Sequence, residues 1–164
     1  MSAKPVPEGQ HSITPHLTVG DASKAIDYYK KAFGATEMQR MQGPDGKIMH
    51  ATIKIGDTYV FLNDEYPEMG GKSPQTLGGS PVTINFYTPD VDQVFKAAVD
   101  AGGKIKMLLE DQFWGDRYGI VIDPFGHEWA IAKRIANYTD EELKKRGQEA
   151  MAQMAQMAQQ HGKS

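Results

Sequence analysis

Residues 16–35 read HLTVGDASKAIDYYKKAFGA, and this stretch carries the first clear structural signal of the chain. Apolar and polar residues alternate up to Val19, which predicts a β-strand. Asp21 can then cap a helix over 22–33, and Gly34 can end that helix because glycine readily adopts a positive φ. The stretch therefore predicts a strand, a tight turn and a helix.

The same plan recurs 69 positions later in the chain. An internal repeat indicates the architecture before any single strand is assigned. The chain is therefore predicted to be a duplicated unit. Without a gap, the shift pairs residues at corresponding boundaries: Thr14 with Thr83, Asp21 with Asp90, Gly34 with Gly103, Gly46 with Gly115, and Ile53 with Ile122.

Each copy is predicted to fold as β-α-β-β-β from its hydrophobic periodicity and turn residues. The fold class is therefore α+β, with two tandem modules whose curved mixed sheets surround a cleft, followed by a C-terminal helix. The first copy has strands 12–19, 36–42, 48–55 and 58–63 with helix 22–33, and the second has strands 81–88, 104–110, 117–122 and 128–133 with helix 91–101.

The chain divides by composition into a domain and three flanking or connecting segments. An N-terminal arm (1–11) precedes the first module (12–64), a linker (65–80) joins it to the second module (81–134), and a C-terminal helix and tail follow (135–164); 12–134 form one domain. The linker, with four glycines and two prolines, is expected to be exposed and long enough to act as a lid.

The C-terminal segment is predicted to be helical because Thr139 and Glu142 form a capping box. Met151, Met154 and Met157 repeat every three residues and form a soft apolar stripe along it. This stripe either docks on a partner subunit or lies on a solvated helix.

Length and charge exclude several classes of protein. With 164 residues the chain is about one domain, and its net charge of -3 gives no general basic field for a phosphate backbone. Nucleic acid and membrane are therefore not expected partners. The absence of cysteine and of an apolar leader in MSAKPVPEGQ suits a cytoplasmic protein.

Strand alternation separates a helix-facing side of each sheet from an open side. Because successive side chains point to opposite faces, the open sides should line the cleft. Ile13, Leu17, Val19, Met49, Ala51 and Ile53 are predicted to face the helix of the first module, while the open sides carry Thr14, His16, Thr18, His50, Thr52 and Lys54 in the first module and Thr83, Asn85, Tyr87 and Glu128 in the second.

Three stretches together resemble the vicinal oxygen chelate superfamily of glyoxalases, bleomycin-resistance proteins and extradiol dioxygenases, and within it the PhnB-like branch. They are residues 16–35, MHATIKIGDTYVFLNDE at 49–65 and WGDRYGIVIDPFGHEWAIA at 114–132. The resemblance covers about residues 12–134. It implies two modules around a curved cleft, and a homodimer.

Metal-dependent members of this superfamily place a His or Gln on the first strand of each module and a Glu on the last strand. At the matching positions this sequence has Thr14, Thr83, Phe61 and Ala130. Threonine is a poor ligand for a divalent metal, and phenylalanine and alanine have no donor atom. The resemblance therefore implies no metal and no other cofactor at the family position, which removes the metal-dependent glyoxalase and dioxygenase mechanisms.

Two imidazoles on the open side are candidates for chemistry. His16 is a candidate general base or hydrogen-bond donor, with Asn85 as its counterpart, or else a structural polar residue of the cleft wall. A relocated metal site of His16, His50 and Glu128 would have the composition of a facial triad.

Arg117 is expected to aim at the cleft and bind a carboxylate or phosphonate, with Trp114 closing over the ligand. The alternative is an ion pair with Asp111, Asp116 or Glu128. His127, in the turn Asp123-Pro124-Phe125-Gly126, is expected to be exposed rather than catalytic.

Two functions follow as hypotheses. The first is a protein that binds a small organic molecule, with anions among the candidates, in a metal-free cleft. The second is a glyoxalase-type lyase or isomerase that uses His16 or His50 as acid or base, with Arg117 steadying an oxyanion. The candidate ligand-binding residues are His16, His50, Tyr59, Phe61, Asn85, Trp114, Arg117 and Glu128.

Overall fold

The structure is a computed structural model that describes residues 4–161, with side chains described through residue 159. Residues 1–3 and 162–164, the ends of the predicted arm and tail, lie outside the described residues. The elements in chain order are β1 (His16–Val19), α1 (Ala22–Phe33), β2 (Thr36–Gln42), β3 (Ile48–Ile55), β4 (Thr58–Asp64), a 3₁₀ turn (Pro67–Met69), α2 (Pro74–Leu77), β5 (Thr83–Tyr87), α3 (Val91–Asp100), β6 (Lys104–Asp111), β7 (Asp116–Ile122), β8 (Glu128–Arg134) and α4 (Asp140–His161).

The predicted α+β fold is confirmed, because each copy of the repeat forms its own four-stranded mixed sheet. The strand orders are β1-β4-β3-β2 and β5-β8-β7-β6. In each sheet the first strand runs parallel to the last, and the remaining neighbours are antiparallel. The connecting helix of each module covers one face of its sheet and leaves the other face open.

The two modules share one core, since α1 and α3 pack against each other. Tyr29 and Trp129 are fully buried there. The Tyr28 hydroxyl donates to the Ala98 carbonyl at 3.0 Å across the junction. With the helices packed together on one side, the open faces of both sheets lie on the other side.

Each module's last hairpin turn reaches the edge strand of the other module, along a junction that we call the seam. On one side, Nε2 of His127 lies 3.1 Å from the carbonyl oxygen of Thr18 in β1. A carbonyl only accepts, so Nε2 of His127 carries the proton. On the other side, the turn at Gly56 lies against Phe86 of β5. The prediction that His127 is exposed is therefore wrong.

The first strand is shorter than predicted and starts at His16. Ile13 is 84% exposed rather than facing the helix. Met49 is also exposed, because the β2–β3 pairing shifts by one residue between Met41 and Gln42. Ile48 takes the core position instead and is buried.

The linker, expected to be exposed, is buried in part and contacts the second module. Ser73 is fully buried, and its amide N–H donates to Glu65 at 2.8 Å. The side-chain amide of Gln75 donates to the Pro124 carbonyl at 2.8 Å, so the linker contacts the β7–β8 turn directly.

The predicted capping box at the start of α4 is confirmed. The Thr139 N–H donates to the Glu142 carboxylate at 2.7 Å, and the Glu142 N–H donates to the Thr139 hydroxyl at 3.3 Å. The helix contacts the body around Gly147, which lies next to Phe113. Met151 and Met154 are exposed further along.

Among residues 4–161, no helix combines the length and the apolar character needed to cross a membrane.

Candidate functional site

The open face of the first sheet brings two imidazoles and an aromatic ring together. His16, Phe61 and Thr52 lie side by side across β1, β4 and β3. The ring centroid of His50 is 5.8 Å from that of His16 and 5.0 Å from that of Phe61. We call His16, His50, Phe61 and Thr52 the imidazole cluster. Alternation along the strands placed His16, His50 and Thr52 on this face, as observed.

Partial burial and a neighbouring imidazole change the protonation of His50. Burial lowers its pKa below the usual value of 6.5, and the nearby His16 lowers it further because two positive charges would repel. His50 is therefore neutral at pH 7. Its Nε2 lies 3.3 Å from the Thr52 hydroxyl. A neutral imidazole offers one donor and one acceptor, so it suits a polar uncharged group on a ligand.

Tyr59 lies on the same open face, towards the β3–β4 turn. The ammonium group of Lys54 is 5.6 Å from the centroid of its ring. The N-terminal arm passes close by at Gly9, where an added side-chain carbon would lie 3.5 Å from the Tyr59 ring. The arm therefore borders this part of the face.

The open face of the second sheet carries a different group, which we call the acidic corner: Asp116, Tyr87, Trp114 and Arg134. The Asp116 carboxylate is buried, and it accepts from the Tyr87 hydroxyl at 2.9 Å and from the Trp114 indole N–H at 3.0 Å. This bond to Asp116 is the main reason that the pKa of the Tyr87 hydroxyl is raised.

Arg134 completes the acidic corner as the cation that faces the buried carboxylate. Its Nε is 3.0 Å from Oδ1 of Asp116, an oxygen that has an ion-pair contact but no aligned hydrogen bond. The guanidinium is half exposed, so it can also meet a ligand. Its Nη1 also donates to the Trp114 carbonyl at 3.1 Å, and the Trp114 ring lies 5.4 Å from the Tyr118 ring between centroids.

Asn85 and Glu128 lie on the second open face as predicted, but they differ in availability. Asn85 is exposed. Glu128 is largely buried; it pairs with Lys106 at 2.6 Å and accepts from the Thr83 hydroxyl at 3.2 Å. A ligand would have to compete with two partners to reach Glu128.

The prediction that Arg117 aims at the cleft is wrong. Its guanidinium forms an ion pair with Asp92 on α3, with Nη2 donating to Oδ1 at 2.6 Å, and Nη1 donates to Asp111 at 3.1 Å. Arg117 lies two and four residues before Gly119 and Val121, which face α3 and the core, so it shares their side of β7. The ion-pair alternative is confirmed for Asp111.

The relocated metal site is not assembled within the chain. Glu128 lies on the second sheet with Lys106 and Thr83, whereas His16 and His50 lie on the first. In the described part of the chain, no three His, Cys, Asp or Glu side chains form a group that could hold a metal ion.

Sequence reasoning missed the acidic corner as a unit. The available signal was the parity of β7, because Asp116 and Tyr118 alternate away from the core residue Val121 and therefore face the open side. Arg134 is opposite Asp116 in the β7–β8 pairing. That pairing depends on the register of the β7–β8 hairpin, which the side-chain pattern of a single strand does not give.

Comparisons with known proteins agree with this architecture. The family model described as "Glyoxalase/Bleomycin resistance protein/Dioxygenase superfamily" matches residues 9–131. An uncharacterised protein of Mycobacterium bovis is 50% identical over 135 residues, covering 80% of this chain and 89% of that protein. One from Mycobacterium tuberculosis H37Rv is also 50% identical over 135 residues, covering 80% and 79%.

Among solved structures, TioX from Micromonospora sp. ML1 is similar at 26% sequence identity. The alignment covers 76% of this chain and 99% of TioX, with a TM-score of 0.59.

Proposed function

Since the chain belongs to the glyoxalase/bleomycin resistance protein/dioxygenase superfamily, we propose that it binds a small organic molecule on its open faces without a bound metal. The imidazole cluster carries this proposal. His16 and His50 supply polar atoms, and Phe61 supplies an apolar surface beside them. Ligand sites commonly combine apolar walls with a few polar groups in this way.

The acidic corner supports a ligand that has a planar part and an acidic part. The rings of Trp114 and Tyr118 offer flat apolar surface. Arg134 offers a half-exposed guanidinium, which replaces the role first assigned to Arg117. Asp116 offsets part of its charge, so a single carboxylate suits this site better than a multiply charged anion.

The residues at the family's metal positions do not fit a divalent ion. Phe61 and Ala130 have no donor atom, and the Thr83 hydroxyl donates to Glu128. Thr14 precedes β1 and offers only a hydroxyl. We therefore derive no step that passes through a metal.

A thermal-shift screen of small planar carboxylic acids, run with EDTA and again with divalent metals, tests the proposal. Binding at 100 times the dissociation constant stabilises the folded state by about 2.7 kcal/mol. We expect stabilisation that does not need metal. His50→Ala and Phe61→Ala should abolish it, whereas His11→Ala, an exposed imidazole ahead of β1, should not. Stabilisation that requires an added metal contradicts the proposal.

A second candidate is a lyase or isomerase in which His50 accepts a proton. The observation in its favour is the lowered pKa of His50, which keeps the imidazole neutral and able to act as a base at pH 7. Turnover of methylglyoxal adducts that is lost in His50→Gln, while the adduct still binds, supports this candidate. Binding without turnover supports the first.

We further propose membership of the PhnB-like branch, a cytoplasmic location and a homodimer. The exposed methionines of α4 are the apolar surface that a second copy would cover. Light scattering after size exclusion tests the homodimer, and a mass of one chain at micromolar concentration contradicts it.

A further inference from the structure

The two sides of the seam are related by the internal repeat, yet they are filled differently. A shift of 69 positions relates β4 to β8 and β1 to β5, since His16 pairs with Phe61 and Asn85 pairs with Ala130. Under this shift, Thr58 corresponds to His127. The fold therefore contains two equivalent places, one with an imidazole and one with a short hydroxyl side chain.

On the first side, His127 occupies this place and is partly buried. Its ring lies between the β7–β8 turn and β1, and Nε2–H donates to the outward carbonyl of Thr18 at 3.1 Å. Leu17, next to Thr18 in β1, is only 4% exposed. An edge strand leaves such main-chain groups without a partner in the sheet, so the imidazole satisfies one of them.

On the second side, Thr58 is too short to do the same. Its hydroxyl donates to its neighbour Asp57 at 3.0 Å rather than across the seam. A cavity of about 460 Å³ lies between the β3–β4 turn and β5. Ile55, Val60, Ile84, Phe86 and Trp129 provide its apolar lining. Phe86, the counterpart of Leu17, remains only partly buried.

The edge of β5 presents main-chain groups to this cavity. The Thr88 N–H donates to the Ala132 carbonyl at 2.9 Å, so Thr88 and Phe86 direct their main chain towards β8. In a parallel ladder alternate residues point their main-chain groups to opposite sides, so the N–H and C=O groups of Asn85 and Tyr87 point away from β8 and towards the seam. In the part of the chain described here, no side chain meets the Tyr87 carbonyl as His127 meets that of Thr18.

We propose that this cavity is a binding site for a small, neutral, planar heteroaromatic molecule of the azole class. Its ring N–H donates to the Tyr87 carbonyl, and its apolar face packs on Phe86 and Trp129. The other half of the molecule provides the template, because an imidazole already occupies the equivalent place. The site lies between the modules and contains no member of the imidazole cluster, so its test is independent of that cluster, although Asn85 and Tyr87 of the second open face also line the cavity.

Benzimidazole is a suitable probe, since it joins an azole to an apolar ring. In a titration followed by ¹H–¹⁵N NMR, we expect shifts at Gly56, Thr58, Phe86 and Thr88. The amides of His50 and Thr52, in the imidazole cluster, should keep their chemical shifts. 1-Methylbenzimidazole keeps the same ring system but carries a methyl group in place of the N–H hydrogen, and it should bind at least about tenfold more weakly because the hydrogen bond is lost.

Thr58→His tests the template directly, because the new ring should fill the cavity as His127 does on the other side. We expect benzimidazole affinity to fall by more than about tenfold, since ring and probe compete for one place. The melting temperature should stay equal or rise. Gln148→His, at an exposed position on α4, adds the same ring away from the seam and should leave the affinity unchanged.

Three outcomes overturn the proposal. They are shifts confined to the His16 and His50 region, equal affinity for the N-methyl compound, and full benzimidazole affinity in a folded Thr58→His variant. Should Thr58→His not fold, Thr58→Gln is the second variant. Its longer side chain enters the same cavity and should weaken binding by several-fold, and unchanged affinity there also counts against the site.

Discussion

Asp123 joins the two modules through a buried carboxylate, and its replacement gives the sharpest stability prediction. The side chain is 3% exposed and accepts four hydrogen bonds. Oδ2 accepts from the Tyr29 hydroxyl at 2.7 Å and from the Trp129 indole N–H at 2.9 Å. Oδ1 accepts from the main-chain N–H groups of Phe125 at 2.9 Å and His127 at 3.0 Å. Tyr29 belongs to α1, so the bond ties the first module to the second.

The expected free energies follow from which groups lose their partner. Tyr29→Phe removes one bond to a charged acceptor and should cost about 2 kcal/mol of unfolding free energy. Asp123→Asn keeps an oxygen for the two main-chain donors but turns an amide towards Tyr29 and Trp129. The Tyr29 hydroxyl can rotate and accept, whereas the indole N–H cannot. One buried donor is left unpaired, and we expect a loss of about 3 kcal/mol.

Urea unfolding and thermal melts followed by circular dichroism measure these losses. For a chain of this size each kcal/mol lowers the melting temperature by about 2–4 °C, so Asp123→Asn should lower it by about 6–12 °C. Asp45→Asn, in the exposed β2–β3 turn, is the matched control and should change stability by less than about 0.5 kcal/mol.

The double variant separates this account from simple additivity. Tyr29 and Asp123 share one bond, so the combined loss should be smaller than the sum of the single losses by at least about 1 kcal/mol. Additive losses, or an Asp123→Asn protein as stable as the Asp45→Asn control, would refute the reasoning that the buried carboxylate joins the modules.

Three further predictions use matched positions or a single titration. Asp21 caps α1 by accepting from the Lys24 N–H, so Asp21→Ala should lower the free energy of unfolding in urea by about 1 kcal/mol. Asp90 makes no capping bond, so Asp90→Ala should lower it by less. Equal losses would contradict this prediction. Gly115→Ala should cost clearly more than Gly46→Ala, because both have positive φ but the added carbon lies 2.4 Å from the Ala136 carbonyl oxygen only at Gly115. The pKa of His50 is lower in the folded than in the unfolded chain, so the unfolded chain binds the proton more tightly and the free energy of unfolding should fall as the pH drops below 6.5. His50→Gln should reduce that fall. An NMR titration that gives His50 a pKa above 6.5 in the folded protein would refute this prediction.

The repeat made most of the fold predictable, because each strand and helix could be assigned from two copies of the same sequence pattern. Helix 22–33 and strands 36–42 and 48–55 have the bounds expected from the sequence. The first strand was predicted too long because alternation continues through Ile13, although Pro15 lacks an N–H and pairing begins at His16. The exposure of Met49 depends on a shift in the β2–β3 pairing, which periodicity within one strand cannot reveal.

The candidate site was predictable where it depends on one strand at a time. Alternation placed His16 and His50 on one face, the resemblance added Phe61 through its strand position, and the three rings meet there. Arg117 was misplaced because it was counted from the preceding turn instead of back from the core residue Val121. The partner of Arg117 on α3, Asp92, lies 25 positions away, and only the packing of the helix on the sheet brings the two together.

Departures from the repeat are the most informative positions in a duplicated fold. At the glycines at 46 and 115, which both copies keep, a shared backbone requirement explains the match, because φ is positive at each. Where the copies differ, that requirement is absent and the local surroundings must explain the difference. Thr58 against His127 leaves a cavity on one side of the seam, and His16 against Asn85 puts an imidazole on only one open face. Thr58 and His16 are therefore the first residues to exchange for their counterparts, His127 and Asn85. In each exchange the new side chain is one that the equivalent position in the other module already accommodates.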